Sequence, residues 1–191
     1  MRPAFSSFAF AAGPVLAGLI LAGVAPAAAM PADCSKGPVP AGPVKGEAEG
    51  TAFVPTEAEL RDAGYMKQDD VTFTTFRLYL KKPEGDMDSA TADVTFLVPK
   101  GKTPDGRSFR QIPGDISAQP MAAEGLPEIQ GWSFDDDATG GHVTSVFTEK
   151  SSLQLHFAKR AGGKIAGTIY LCSPEDKPYW IGGSFTAEIK E

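Results

Sequence analysis

The sequence predicts an all-β protein: an antiparallel β-sandwich or partly open barrel of about eight short strands after an N-terminal signal peptide. Three observations support this fold class. Apolar residues recur at every second position in several segments, which is the period of a strand with one buried face. Clusters of glycine and proline separate those segments and indicate turns. Only one short segment carries helical signals, so we expect strands to form the core.

Residues 1–29 have the parts of a secretory signal peptide. Arg2 is the only charged residue in this segment, the apolar centre spans 15–24, and Ala27 and Ala29 are small residues at the −3 and −1 positions. The alternative is an uncleaved anchor helix, which needs about 20 apolar residues. Prolines bracket a shorter stretch here. We therefore expect cleavage after Ala29, no permanent membrane anchor, and export to the periplasm or secretion.

The charge balance of the chain argues against a nucleic-acid-binding protein, and its length fits one domain. The chain has 24 acidic and 18 basic residues and a formal net charge of −6. A protein that neutralises phosphates normally has an excess of lysine and arginine, so we expect no nucleic-acid partner. Without the leader, 162 of the 191 residues remain, enough for one core. The predicted organisation is a signal peptide (1–29), a Pro/Gly-rich arm (30–45) and one β-rich domain (46–191).

The predicted strands share an apolar alternation and follow one another along the domain. They lie at 71–80, 93–98, 128–134, 153–158, 165–171 and 181–189. A break in the alternation at Thr74–Thr75 suggests a β-bulge in the first of them. Residues 99–131 contain five prolines and are expected to form long connections. Gly162–Gly163 predicts a tight hairpin turn.

Segment Thr56–Gly64 carries the helical signals. Thr56 and Glu59 have the spacing of a capping box, and a glycine ends the segment. These signals predict a short helix. The segment is only slightly longer than two turns, which is below the length at which local propensity decides the conformation.

Cys34 and Cys172 are the only two cysteines in the chain. In an exported protein an even number of cysteines usually forms disulfides. We therefore expect a Cys34–Cys172 bond that ties the arm to a strand near the C-terminus, with a stabilisation of at most ~4–5 kcal/mol. The alternative is two separate thiols, one of them buried.

The acidic segment 135–142 is the candidate metal site. Asp135, Asp137 and Thr139 alternate as oxygen ligands in a pattern that resembles part of a Ca²⁺ loop. Val146 occupies the position of the closing bidentate glutamate, so an EF-hand loop is incomplete. A solvated acidic turn is the favoured alternative. Cysteines and histidines lack the short spacings of zinc ligands, and we expect no cofactor.

Trp132, Tyr179 and Trp180 flank predicted turns and are the candidate ligand-binding residues. Aromatic rings at loop edges could stack on sugar or grip a peptide. The favoured alternative is that these rings cap the core, because large aromatics are normally buried. His156 alternates with apolar neighbours and is expected on the wetter face of its strand.

No catalytic constellation is visible in the sequence. None of the serines lies in a nucleophile-elbow motif, and nothing selects a pair of carboxylates for glycoside hydrolysis. We therefore expect an exported, non-catalytic binding or structural module of the cell envelope, with an envelope or extracellular ligand. The alternatives are a hydrolase that uses dispersed carboxylates and a Ca²⁺-stabilised extracellular module.

Three stretches carry a resemblance to a known family: GEAEGTAF at 46–53, GKIAGTIYLC at 163–172 and GSFTAEI at 183–189. They resemble a family of small exported bacterial β-rich proteins without an assigned activity. The similarity spans residues 46–190 and is most specific in the C-terminal hairpin. It implies that Ala58–Leu60 lies in a short strand, against the capping-box interpretation, and it supplies no catalytic residues. The arm with Cys34 departs from the family pattern.

Overall fold

The structure is a computed structural model that describes residues 39–82, 90–136, 141–145, 150–174 and 178–190. These ranges contain thirteen strands and one 3₁₀ turn, Ile116–Ala118, so the predicted all-β class is confirmed. The strands are β1 Lys45–Ala48, β2 Thr51–Phe53, β3 Glu57–Gln68, β4 Val71–Lys82, β5 Ala90–Pro99, β6 Ser108–Gln111, β7 Met121–Ala123, β8 Leu126–Pro127, β9 Ile129–Asp136, β10 Gly141–Ser145, β11 Ser152–Phe157, β12 Lys164–Ser173 and β13 Tyr179–Lys190.

Eleven of the described strands form one large sheet, and β7 and β8 form a second, small one. The order in the large sheet is β10-β9-β5-β4-β3-β13-β12-β11-β6. Outside this path, β1 pairs with β13, and β2 pairs with β1. Among the described strands, every pairing is antiparallel except that of β13 with β3, which is parallel from Glu188 and Glu59 to Lys190 and Arg61. The sheet is therefore mixed rather than purely antiparallel, and it does not close into a barrel.

The large sheet folds over so that its two halves face each other across one apolar core. Phe96 on β5 lies 4.6 Å from Phe109 on β6 and 5.4 Å from Phe157 on β11, measured between ring centroids. Phe134 on β9 lies 5.8 Å from Tyr179 on β13. These contacts join β5 and β9 of one half to β6, β11 and β13 of the other. The arrangement is that of a sandwich, in which inward residues of two sheet layers interdigitate.

The small β7–β8 hairpin covers part of the outer face of the large sheet. Phe73 and Leu97, on β4 and β5, point away from the main core yet are each only 1% exposed. Together with Leu126 they form a separate buried cluster, against which Ala122 and Ala123 pack. The proline-rich connection predicted between the strands therefore contains a short paired element that covers these two side chains.

The short helix predicted for Thr56–Gly64 is wrong, because this segment begins strand β3. Leu60 is 1% exposed and lies in the main core. The segment pairs with β4 on one side and with the end of β13 on the other. Two ladders and a buried leucine outweigh the capping signals of so short a stretch. The strand that the resemblance implied for Ala58–Leu60 is confirmed.

The β-bulge predicted at Thr74–Thr75 of β4 lies instead in the partner strand β3, opposite these residues. From Asp62 to Tyr65 strand β3 advances three residues, while β4 advances two, from Phe76 to Thr74. Gly64 has a φ of +102°, and its N–H donates to Asp62 Oδ1 at 2.8 Å. Glycine tolerates this positive φ at little cost, so the extra residue is accommodated in β3.

Candidate functional site

A row of four polar side chains crosses the outer face of the half formed by β6, β11, β12 and β13. Ser108 pairs with His156, His156 with Thr168, and Thr168 with Ser184. Their neighbours along each strand, such as Leu155, are buried in the core, and alternation therefore places the four polar side chains on the opposite face. Neighbouring strands are ~4.8 Å apart, so this polar row extends over about 14 Å.

Hydrogen bonds hold both ends of the polar row. Ser108 Oγ and His156 Nδ1 are 2.9 Å apart. At the other end, Ser184 Oγ donates to the carbonyl of Gly42 at 2.9 Å, and the Ser184 N–H donates to the same carbonyl at 2.8 Å. Thr168 lies between these two anchored ends and is half-buried. The positions of the groups are therefore set by the sheet and by the arm.

Residues 39–44 of the arm form a wall beside the polar row. Val39 packs against the buried side chains of Tyr170 and Cys172. Pro40 lies on Gly182, where a Cβ would come within 2.5 Å of the proline Cδ. Because glycine leaves this space free, the arm can lie directly on the sheet. Val39 and Pro40 thus lie over the outer face, while Pro43 continues beside β13 in a parallel bridge to Ser184.

Two adjoining concavities lie beside the arm, lined by Val39 and by Pro43 respectively, with volumes of about 370 Å³ and 430 Å³. Both are lined by His156 and Thr168. The first also reaches Arg110 and Gln154, and the second reaches Thr186. We call the combined concavity the outer groove. No aspartate or glutamate is among its described lining residues.

The outer face of the other half of the sheet has a different character, because its charged side chains pair with one another. The ring of Tyr79 on β4 has three cationic groups within 5.2–5.7 Å of its centroid. Glu59 accepts from Lys81 and Arg61, and Asp93 pairs with Arg77 at 3.2 Å. Because these charges compensate one another, the network connects strands and offers few unpaired groups to a ligand. The outer groove is therefore the candidate site.

Replacement of Glu59 by glutamine tests the role of this network through its pH dependence. Hydrogen bonds from Lys81 and Arg61 lower the pKa of Glu59 below its usual value of 4.5, while burial opposes them. The contribution of the carboxylate to stability is thus complete above pH 4.5 and is lost as pH falls through the folded-state pKa. Glu59→Gln should cost about 0.5–1 kcal/mol at pH 7.

Urea unfolding of wild-type protein and the Glu59→Gln variant at a series of pH values measures this contribution. The difference in unfolding free energy should shrink as the pH falls below 4.5. A difference that stayed constant over the whole range would show that the network does not act through this carboxylate.

The three aromatic residues predicted to bind a ligand are all buried. Trp132 and Tyr179 are each 3% exposed and Trp180 is 4% exposed. The rings of Trp132 and Tyr179 lie 5.8 Å apart in the space between the two halves of the sheet. No ring presents a face to solvent for stacking. Trp132 and Tyr179 belong to the main core, which favours the alternative interpretation for these two rings. Trp180 is buried on the opposite face of β13.

The phenol of Tyr179 is held by a carboxylate. Its hydroxyl donates to Glu49 Oε1 at 2.5 Å. Burial, the hydrogen bond to Glu49 and the negative charge of Glu49 all raise the pKa of Tyr179 well above its usual value. The phenol therefore stays protonated and joins β13 to the turn after β1. This role is structural.

Only some of the residues predicted to bind a metal ion or to form a disulfide lie within the described ranges. Asp135 lies on β9, whereas Asp137 and Thr139 fall outside the described residues. Within the described ranges no group of three histidine, cysteine or acidic side chains could hold a metal ion. Cys172 is fully buried on β12. Cys34 and the residues predicted for leader cleavage, Ala27 and Ala29, also lie outside the described residues.

The alternation at 153–158 predicts a solvent-facing position for His156, and also for Gln154 and Ala158, which line the outer groove as well. His156 was expected on the wetter face of its strand, and it is exposed. Ser108, Thr168 and Ser184 were not selected, because each is an ordinary polar residue until the strand register brings it beside the others. The sequence indicates only which residues of a predicted strand point outward. The register needed to align them depends on pairings distant in sequence.

The described part of the chain contains no helix that could cross a membrane. No family model matches the chain, and no curated protein and no solved structure matches it.

Proposed function

We propose that the chain is an exported, non-catalytic binding module of the cell envelope that holds an extended polar ligand in the outer groove. The polar row carries this proposal. Its four side chains lie in register on four neighbouring strands, and both adjoining concavities are lined by the central pair, His156 and Thr168.

The side chains of the polar row suit a ligand that is rich in hydroxyl groups. Serine and threonine hydroxyls both donate and accept, and a neutral imidazole does the same through its two nitrogens. Short side chains on strands lose little conformational entropy when a ligand binds. A site on regular strands is also more precisely positioned than one on loops. These properties support recognition through many hydrogen bonds rather than one deep pocket.

The chemistry of the outer groove supports binding over hydrolysis. Ser108 and His156 form a hydrogen bond, but an activated nucleophile also needs a group that orients the base. Among the described residues no carboxylate hydrogen-bonds to His156, and none lines either concavity. A glycosidase of the usual kind would need two carboxyl groups across a cleft. We therefore include no catalytic step in the proposal.

Replacement of Thr168 by valine tests the proposal at the centre of the outer groove. Valine keeps the shape and the β-branch but removes the hydroxyl, so the fold should persist while hydrogen bonds to the ligand are lost. The probe is the soluble polysaccharide fraction of bacterial envelopes, titrated into the exported protein. We expect a roughly tenfold loss of affinity, as for a hydrogen bond worth about 1.4 kcal/mol.

Thr72→Val is the matched control, because Thr72 is a half-buried threonine on β4 in the other half of the sheet. It should bind the probe like the wild-type protein. Equal affinities for the two variants would contradict the proposed site. An exported protein that binds none of the fraction would contradict the function.

We also propose that export is accompanied by a Cys34–Cys172 disulfide. Val39 contacts the Tyr170–Cys172 cluster, and it follows Cys34 by only five residues, a maximum reach of about 17 Å. The bond would fix the arm that forms the wall of the outer groove. The intact mass of the exported protein should correspond to residues 30–191 less two hydrogen atoms. A mass with both thiols protonated would contradict the bond, and a retained leader would contradict cleavage after Ala29.

A further inference from the structure

We infer that the ligand of the outer groove is an acidic polysaccharide whose sugar units carry carboxylates. The inference rests on the proposed function and names the chemical class of its ligand. Three features of the outer groove carry it: a cation without an ion pair among the described residues at one end, a described lining without acidic residues, and polar side chains on successive strands beside small apolar ones.

The cation is Arg110 on β6, which lines the first concavity and is exposed. Within the described part of the chain it has no ion pair, whereas Arg61, Arg77 and Lys81 on the opposite outer face are all paired. A guanidinium binds carboxylates through two parallel hydrogen bonds. Glu128 is the carboxyl whose pKa responds to Arg110: burial raises that pKa, and Arg107 and Arg110 oppose the rise. Glu128 acts on Arg110 only through its charge and forms no hydrogen bond with it, so the exposed guanidinium can still donate hydrogen bonds to an anionic ligand.

The lining of the outer groove is unusual for this chain. The sequence has 24 acidic and 18 basic residues, yet no acidic side chain is among the described residues of either concavity. A neutral polar groove with one cation attracts an anion, while the rest of an acidic surface repels it. The electrostatic preference is therefore local to the outer groove.

The spacing of the polar row suits a sugar chain that lies across the strands. Consecutive side chains of the row start from neighbouring strands, which are ~4.8 Å apart. Sugar units of an extended polysaccharide repeat at a similar interval. Pro43, Ala158 and Ala166 line the second concavity and offer apolar contact to the C–H faces of sugar rings. Sugar hydroxyls thus meet the polar row while ring faces meet small apolar groups.

A peptide fits this surface less well. Peptides that bind sheets usually add a strand at a free edge. The polar row instead crosses the face of β11 and β12, whose backbones are already paired on both sides. Recognition must therefore come from side chains, and the side chains present are donors and acceptors for hydroxyl groups.

The test compares oligogalacturonate with a dextran oligomer of matched length, each titrated into the exported protein by calorimetry. We expect oligogalacturonate to bind at least about tenfold more tightly at low salt. Its advantage should decrease when ionic strength rises from about 0.05 to about 0.3 M, because added salt screens exposed charges. Arg110→Gln should remove most of the preference for oligogalacturonate over dextran.

Lys67→Gln is the matched control, since Lys67 is an exposed cation on β3. It should leave both affinities unchanged. If Arg110→Gln and Lys67→Gln lost the same affinity for oligogalacturonate, the inference would be overturned, because the ligand would then respond only to the net charge of the protein. Dextran binding as tightly as oligogalacturonate would overturn the inference but leave the proposed binding function standing. Binding of a peptide in the outer groove, with no binding of either saccharide, would likewise overturn the inference and leave the binding function standing. Binding of no probe there would contradict both.

Discussion

Gly46→Ala is expected to destabilise the protein by about 3 kcal/mol or more, at the upper end for an overpacked site. A Cβ at this position in β1 would lie 2.0 Å from the carbonyl oxygen of Trp180 and 2.9 Å from the Cα of Ile181. Both are backbone atoms of β13, so no side-chain rotation relieves the clash. β1 must therefore move away from β13. That movement would expose Phe53 on the adjoining β2, which is 1% exposed in the native structure.

Gly101→Ala is the control for the general cost of replacing a glycine. Gly101 has a φ of +78°, but a Cβ there would have no atom within 4 Å. The variant should lose only about 1–2 kcal/mol, the cost of a left-handed conformation for alanine. Urea unfolding of both variants measures the difference. If Gly46→Ala cost no more than Gly101→Ala, the close contact between β1 and β13 would be wrong.

Phe96→Ala should have a comparably large effect, a loss of about 3–5 kcal/mol. Phe96 is fully buried and its ring lies within 6 Å of the rings of Phe76, Phe109 and Phe157. Because Phe109 and Phe157 belong to the opposite half of the sheet, truncation leaves a cavity between the two layers. The same urea experiment measures this loss.

Tyr65→Ala is the matched control for removing an aromatic ring from a strand. Tyr65 is 66% exposed, and its ring contacts the ammonium group of Lys100 at 5.0 Å. Its replacement should cost no more than about 1 kcal/mol. Similar losses for Phe96→Ala and Tyr65→Ala would mean that the two halves of the sheet do not share one core.

Alternation predicted the strands that span the core, and particular residues show why. Leu153, Leu155 and Phe157 are each 0–1% exposed, while Gln154 and His156 between them are exposed. A pattern of period two can be read locally, because each side chain points to one face or the other. The predicted strands at 165–171 and 181–189 are present in β12 and β13 for the same reason.

The features that the sequence did not reveal depend on partners distant in the chain. β3 has a helical capping signal, but its strand conformation is fixed by β4 and by the last residues of β13. Leu97 breaks the alternation of β5 because β7 and β8 cover it from outside. The polar row needs the registers of three strand pairs at once. A shift of one residue in any of them would turn its side chain toward the core.

Mapping of chemical shifts by NMR tests the central claim most directly, namely that the outer groove is where this protein binds. The exported protein, labelled with ¹⁵N, is titrated with oligogalacturonate. The largest amide shifts are expected at Ser108, Arg110, His156, Thr168 and Ser184, and the amides around Tyr79 on the other outer face should not shift. Shifts centred on Tyr79, or spread evenly over the surface, would contradict this claim.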